Sequence, residues 1–274
     1  MSDEKTGAPD RVQELTIELD ATPAQVWEAV STGEGLSRWF APEVTVKPGV
    51  GGEVTFSFGE GMTWSSNISR WEPGVMWQGS DRFPSSTPGA QGPLLVVEYH
   101  VEARAGGKAA MRLVQSGFDN PGGWDDLFDG TEGGWAYFLE NLKHALERHP
   151  GEDRRVAAAK GKLTGPRAQV WGELFSQALR ADRPAAGLKP GDVIRLDLGQ
   201  GPAPAEVVLH LPGTHLGARL PTLGDGLLML ELVQGEPTRS LGVQISLYGD
   251  AAARTGEVQA ALSAWEARVF PSEG

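Results

Sequence analysis

Two hydrophobic periods, one of two residues and one of three to four, recur along this chain in the same order in each half. From Val12 to Asp20 apolar side chains fall on every second position (Leu15, Ile17, Leu19), the pattern of a half-buried strand. Thr22-Pro23 follows, an N-cap residue with proline at the first helical position, and predicts a helix to about Gly33. A second short helix is expected over 35–40, before Pro42. Strand patterns run over 44–58, divided by the Pro48-to-Gly52 turn, over 61–71 and 74–83 around Glu72-Pro73-Gly74, and over 94–103 and 109–118 around Ala105-to-Lys108. Residues 84–93 read as a Ser/Pro/Gly loop, and 119–134 as a loop rich in Gly and Asp. Trp135, Phe138, Leu139, Leu142 and Leu146 then share one helix face, which predicts a helix over about 132–149.

The order returns after His149-Pro150-Gly151. A strand is predicted over 155–163, a helix over 166–181, strands over 192–198, 206–211, 217–220, 227–233 and 240–248, and a closing helix over 255–270. Ala203-Pro204, Pro212-Gly213 and Pro221 are expected to break strands there. Gln25-Val26-Trp27 recurs as Gln169-Val170-Trp171, and Val258, Ala261, Leu262, Trp265 and Val269 repeat the spacing of the earlier apolar stripe. Two copies of one fold follow from this self-similarity. The expected division is a tail without structure at 1–11, a first domain at 12–150 and a degenerate copy at 151–274.

Composition narrows the function. The chain has 274 residues, 40% of them hydrophobic and 22% charged, enough for two ordinary cores. No apolar run is long enough to span a membrane, and Met1 to Arg11 lacks the apolar core of a signal peptide, so a cytoplasmic location is expected. Without cysteine there is no disulfide, thiolate metal site or cysteine nucleophile. Of the net charge of −12, the first 150 residues carry −11, which argues against nucleic-acid and anionic-membrane partners.

Five segments carry a family resemblance: Ala21-Thr22-Pro23-Ala24-Gln25-Val26-Trp27, Leu36-Ser37-Arg38-Trp39-Phe40, Val50-Gly51-Gly52-Glu53-Val54, Leu113-Val114-Gln115-Ser116-Gly117-Phe118, and Gly133-Gly134-Trp135 through Leu142. Together they resemble the SRPBCC/START-like superfamily, in the branch homologous to the activator of heat-shock-protein ATPase (AHSA-type). Residues 151–274 resemble a degenerate second copy. The resemblance implies an α+β fold of two tandem helix-grip domains, each an antiparallel sheet wrapped around a long C-terminal helix. It further implies an apolar cavity for a hydrophobic ligand and, from the family's name alone, a role as chaperone cofactor or in stress response.

Seven of the nine tryptophans lie in the first half. Alternation puts Met62, Trp64, Ser66 and Ile68 on one strand face, and does the same for Val54, Phe56 and Phe58, for Val75 and Trp77, and for Met111, Leu113 and Gln115. If those faces look toward the Trp135–Phe138 helix, the space between is aromatic, with Gln115, Tyr99 and Ser66 as sparse polar anchors, the usual form of a small-molecule pocket. The candidate ligand-binding residues are Trp39, Phe40, Phe56, Phe58, Met62, Trp64, Trp77, Tyr99, Met111, Gln115, Phe118, Trp135 and Phe138. Simple core filling is the competing reading.

His100, between Glu98 and Glu102, falls on the opposite and solvated face. His144 and His149 are expected near an exposed helix end, and His210 and His215 beside a Pro-Gly turn. No histidine spacing suggests a metal. Asp119, Asp125, Asp126, Asp129 and Glu132 read as charges favourable to a helix N-terminus, as a hard-cation site, or as part of a mobile lid over 121–130. The lid is preferred. The expectation is non-catalytic binding of a hydrophobic or aromatic small molecule by the first domain, without cofactor or metal. The second domain is expected to serve structure or homodimerisation. The enzymatic alternative is a cyclase- or hydrolase-like activity on a lipid or polyketide-like substrate, and it needs an acid or base facing inward.

Overall fold

The computed structural model describes residues 11–59, 62–82, 92, 94–118, 125–233 and 237–270, with backbone alone for 125–130. The expected tail and the loop at 84–93 fall almost wholly outside these residues. The chain divides into two compact units, 1–132 and 133–274.

The first unit opens with β1 (Gln13–Leu19), α1 (Pro23–Ser31) and α2 (Gly33–Ser37). Thr22 caps α1 as its sequence predicts. Its hydroxyl accepts from the Gln25 amide at 3.3 Å, while the Gln25 side chain accepts from the Thr22 amide at 2.9 Å, so two helix-end donors are satisfied reciprocally. There follow β2 (Glu43–Lys47), β3 (Glu53–Ser57), β4 (Thr63–Glu72), β5 (Met76–Arg82), β6 (Leu94–Ala103) and β7 (Ala109–Ser116). They form one antiparallel sheet in the order β1-β7-β6-β5-β4-β3-β2, so the first strand lies beside the last and the α1–α2 pair joins opposite edges. Val75 departs from its expected place beside Trp77. Its amide closes the Glu72-Pro73-Gly74 turn on the Glu72 carbonyl, which leaves it outside β5 and 51% exposed.

α3 (Asp125–Arg148) starts earlier than its apolar stripe suggests. Residues 125–130, read from sequence as loop and lid, are helical. The remainder of that loop, 119–124, lies outside the described residues. Gly133 and Gly134 look like helix breakers, yet Gly133 meets a packing need: a Cβ there would lie 2.6 Å from the imidazole of His215. From Gly133 to Glu147 no residue of the helix is exposed.

The second unit continues with β8 (Arg155–Thr164), α4 (Arg167–Glu173), a π-helical turn over Leu174–Ala178, β9 (Val193–Asp197), β10 (Pro202–Leu211), β11 (His215–Leu220), β12 (Gly226–Leu232), β13 (Thr238–Leu247), α5 (Gly249–Ala252) and α6 (Thr255–Val269). The sheet order β8-β13-β12-β11-β10-β9 repeats the first circuit with one strand fewer. Pro204 does not break its strand. β11 joins β10 only from Glu206 onward, so around Pro204 that side of β10 is an edge and tolerates a residue without an N–H. One face of this sheet builds the core with Val170, Trp171, Phe175, Val258, Leu262 and Trp265. The repeated Gln-Val-Trp therefore marks equivalent helices, with Val26 and Val170 both buried.

The reverse face of the second sheet is covered as well. Tyr137 of α3 packs on Leu227 and Met229, with Phe138, Val208 and Leu209 around them. The Tyr248 hydroxyl donates to Asn141 Oδ1 at 3.2 Å, and Arg148 pairs with Asp225 at 2.8 Å. His144 and His149 are buried rather than at an exposed helix end, with both Nε2 atoms on the Asp225 carbonyl at 2.8 and 3.2 Å. The architecture is α+β: two antiparallel sheets, the first entered through a strand and two short helices, the second through a strand and one helix ending in a π-helical turn, each continuing as a meander with a long helix after it, the order of a helix-grip protein. Among the described residues no helix is long and apolar enough to cross a membrane.

Candidate functional site

Alternation selects one face of the first sheet, and strand register assembles it into rows. Leu15, Leu113, Tyr99 and Trp77 lie side by side across four strands. The next row is Gln13, Gln115, Val97, Gly79 and Ile68. Beyond it Leu95 pairs with Asp81, and Ser66 with Val54. Continuing the β4–β5 register sets Ser66 opposite Asp81. Apolar side chains dominate this face, and most are buried.

The predicted aromatic residues separate into two groups. Trp39 and Trp77 are fully buried and spend their polar handles on the backbone: Trp39 Nε1 donates to the Ala29 carbonyl at 2.9 Å and Trp77 Nε1 to the Val30 carbonyl at 2.7 Å. Both bonds fall on the last turn of α1, where carbonyls lack helical partners. Tyr99 stacks on Trp77 with ring centroids 4.4 Å apart. Met111 and Phe118 are buried.

The second group is a four-ring cluster at the β3–β4 end. Phe40 stands edge-on to Phe56 at 5.1 Å and to Phe58 at 5.6 Å, and Phe58 stacks on Trp64 at 5.2 Å. This cluster opens to water: Trp64 is 36% exposed and neighbouring Met62 is 49% exposed. Trp135 and Phe138 stand on the part of α3 that belongs to the second unit, with rings 6.3 Å apart.

Polar groups on the face are few. Gln115 and Ser66 are buried as expected, and two more were not foreseen. Gln13 is buried, and its Oε1 accepts from the Thr131 hydroxyl at 3.2 Å. Asp81 is the other. Burial pushes its carboxyl above the usual range, against the lowering effect of a hydrogen bond from its own backbone. Tyr99 is driven up by burial first and then by the nearby charge of Asp81. Both missed residues were readable in phase: Gln13 leads Leu15, Ile17 and Leu19, and Asp81 follows Trp77 and Gly79 at strand spacing.

The other candidates lie elsewhere. His100 contacts Glu98 at 2.6 Å on the opposite face, beside a ladder in which Glu102 is held below the usual carboxylate range by hydrogen bonds from Arg104 and Arg112. An open groove of about 400 Å³ runs against α2, lined by Glu34, Ser37, Glu43, Thr45, Thr55 and Ser57. Its lining mixes two acidic and several hydroxyl side chains with Pro42 and Val44, and it holds none of the predicted aromatic residues. Among the described residues no cluster of three His, Asp or Glu side chains is placed to hold a metal ion.

Comparison with known proteins gives a family for the first half. The model of the family described as "Activator of Hsp90 ATPase homolog 1-like protein" matches residues 20–147. No curated protein matches the chain. Among solved structures, the di-domain ARO/CYC BexL from the BE-7585A biosynthetic pathway is 17% identical, with 96% of this chain and 100% of that chain covered and a TM-score of 0.44. DynU16, from the dynemicin biosynthetic locus, is 19% identical over 94% of this chain and 97% of its own, with a TM-score of 0.43. The Aha1 dimer from Colwellia psychrerythraea is 20% identical over 52% and 98%, with a TM-score of 0.42. Residues 20–147, running from the turn after β1 into the last turn of α3, match the model of the activator of Hsp90 ATPase homolog 1-like family.

Proposed function

We propose that the first unit binds a hydrophobic, aromatic small molecule at the Phe40–Phe56–Phe58–Trp64 end of its sheet. One observation carries this reading. A cluster of four rings in mutual contact would close over itself if core filling were its whole role, but Trp64 and Met62 remain open to solvent beside it. Below the cluster the face continues through buried apolar residues to a few polar groups, the composition of a small-molecule site. Trp39 and Trp77 hold the scaffold by tying the end of α1, and the ligand meets Phe58, Met62 and Trp64 first.

Quenching of tryptophan fluorescence by naphthalene tests this in the full chain. Saturable quenching is expected, weakened about fivefold or more in Trp64→Ala, since one aromatic contact contributes about 0.5–1.5 kcal/mol beyond its buried area. Unchanged affinity in Trp64→Ala would remove this end of the sheet as the site.

The enzymatic alternative gains one specific observation, the inward carboxyl of Asp81, a group of the kind that acid–base chemistry requires. Conversion of an aromatic polyketone by the wild-type chain and its loss in Asp81→Asn would favour that alternative.

A further inference from the structure

We propose that the second unit holds a hydroxyl group between Trp171 of α4 and His210 of β10, supplied by a water molecule or by a small phenol. The inference is independent of the ligand reading of the first unit and gives the second unit a site of its own.

The internal repeat locates the pair. Gln169-Val170-Trp171 repeats Gln25-Val26-Trp27, so Trp171 stands where the first copy has Trp27. β4 and β10 each shift register once against the next strand, between Ile68 and Arg70 and between Val207 and Leu209. Trp71 follows Ile68 at the same spacing as His210 follows Val207. The first copy fills this place with two indoles, Trp27 edge-on to Trp71 at 5.3 Å. In the second copy an imidazole replaces the second indole, nearly parallel to Trp171 with ring centroids 6.3 Å apart.

That exchange leaves two buried polar atoms facing a shortage of partners. Trp171 is 4% exposed, and its Nε1 has no hydrogen-bond partner among the described residues. His210 is half-buried, and its Nε2 is buried and equally without a partner there. His210 Nδ1 lies 3.1 Å from the Leu188 carbonyl, which only accepts. Nδ1 therefore carries the proton of the neutral ring, and Nε2 carries the lone pair. An indole N–H only donates. The two rings thus present one donor and one acceptor, and buried polar atoms left unpaired are costly.

A hydroxyl satisfies both through one oxygen, accepting from Trp171 and donating to His210. Two hydrogen bonds of about 2.9 Å span a separation of the order of that between the rings. An ether or ketone accepts without donating, and an ammonium donates without accepting, so each would satisfy one nitrogen only. Phe175, 5.4 Å from Trp171 and 6.5 Å from His210 by ring centroids, supplies an apolar wall. Arg167, one turn before Trp171 on α4, is exposed and packs on the β10–β11 turn, where a Cβ at Gly213 would lie 3.0 Å from Arg167 Cδ. The pair therefore sits one helical turn in from the surface, on the side where His210 is partly open.

The test is NMR of the full chain, isotopically labelled at the tryptophan and histidine ring nitrogens, at about pH 8, above the ordinary histidine range. The Trp171 indole resonance is identified by its absence from Trp171→Phe. A bound water is expected to give a cross-relaxation peak between water and the Trp171 indole proton, and the His210 ring should report its proton on Nδ1. Phenol is then titrated, with anisole as the probe that accepts but cannot donate. A phenol that shifts the indole resonance and removes the water peak, where anisole does neither, assigns the hydroxyl to a ligand. A water peak that survives saturating phenol assigns it to water. In His210→Phe, which puts an aromatic ring where the first copy has one, the water peak and any phenol shift should be lost with the fold retained. Absence of both signals from the wild-type chain, their persistence in His210→Phe, an anisole effect equal to that of phenol, or a proton on His210 Nε2 would each overturn the proposal.

Discussion

Trp77 donates its indole proton to the carbonyl of Val30 at 2.7 Å, joining the middle of the first sheet to the last turn of α1. The bond satisfies a donor and an acceptor that are both buried, and it leaves the indole no proton for a ligand. Trp77→Phe removes the donor and part of the ring. A loss of about 1–3 kcal/mol in urea unfolding is expected, from the unpaired carbonyl and the space left behind. Naphthalene affinity should change little, because the ligand meets the opposite end of the aromatic set. A large loss of affinity with unchanged stability would reassign Trp77 to the ligand.

Gly133 and Gly134 are adjacent in α3 yet should respond to alanine with opposite sign. A Cβ on Gly134 meets nothing within 4 Å, so Gly134→Ala gains helix propensity and stabilises by about 0.5–1 kcal/mol. At Gly133 the same gain opposes a 2.6 Å clash with the His215 ring, and overpacking of that kind costs about 1–3 kcal/mol. Net destabilisation is expected, and His215→Ala in the same chain should relieve part of it. Urea midpoints of the three variants decide the matter. Equal effects at the two glycines would show that the α3–β11 contact is looser than described.

His144 makes stability depend on pH. Burial first, and the neighbouring His149 second, push its pKa down from 6.5 to about 4. Between those values the unfolded chain binds a proton that the folded chain refuses, so stability falls as pH is lowered from about 6.5 toward 4. The contribution is on the order of 3 kcal/mol. His144→Asn should flatten the thermal-stability profile over that window relative to wild type. Parallel profiles would remove His144 from the account.

Asp81 acts with the opposite sign. Its folded carboxyl is raised above 3.8 by burial, so the folded state holds a proton that the unfolded state has released, and stability falls as pH rises through that interval. Asp81→Asn should therefore raise the melting temperature at pH 7. The gap should narrow as the pH falls below 3.8, where the carboxyl is protonated in both states. A variant less stable than wild type at pH 7 would show that the carboxylate has a favourable partner there.

Much of this architecture was legible because it depends on local signals. Thr22-Pro23 set the start of α1, the Pro48-to-Gly52 turn set the β2–β3 hairpin, and the recurrence of Gln-Val-Trp marked the second circuit. The start of α3 was not legible. Three glycines at 130, 133 and 134 argue against a helix, and the ring that makes Gly133 necessary arrives more than eighty residues later, at His215. The burial of His144 and His149 depends on Asp225, which is equally remote. Asp81 is different, since its phase with Trp77 was present in the sequence. An acidic residue on a buried strand face contradicts the usual hydrophobic pattern, and pattern reading passes over the exceptions that carry chemistry.

Native mass spectrometry of the freshly purified full chain, against the same sample denatured, tests the central claim most directly. A mass excess of a few hundred daltons that disappears on denaturation, or a one-to-one adduct on addition of an uncharged aromatic ketone that Trp64→Ala weakens, is the predicted result. A native mass equal to that of the chain alone, unchanged by saturating aromatic ketone, would contradict it and return the Phe40–Trp64 cluster to the role of core.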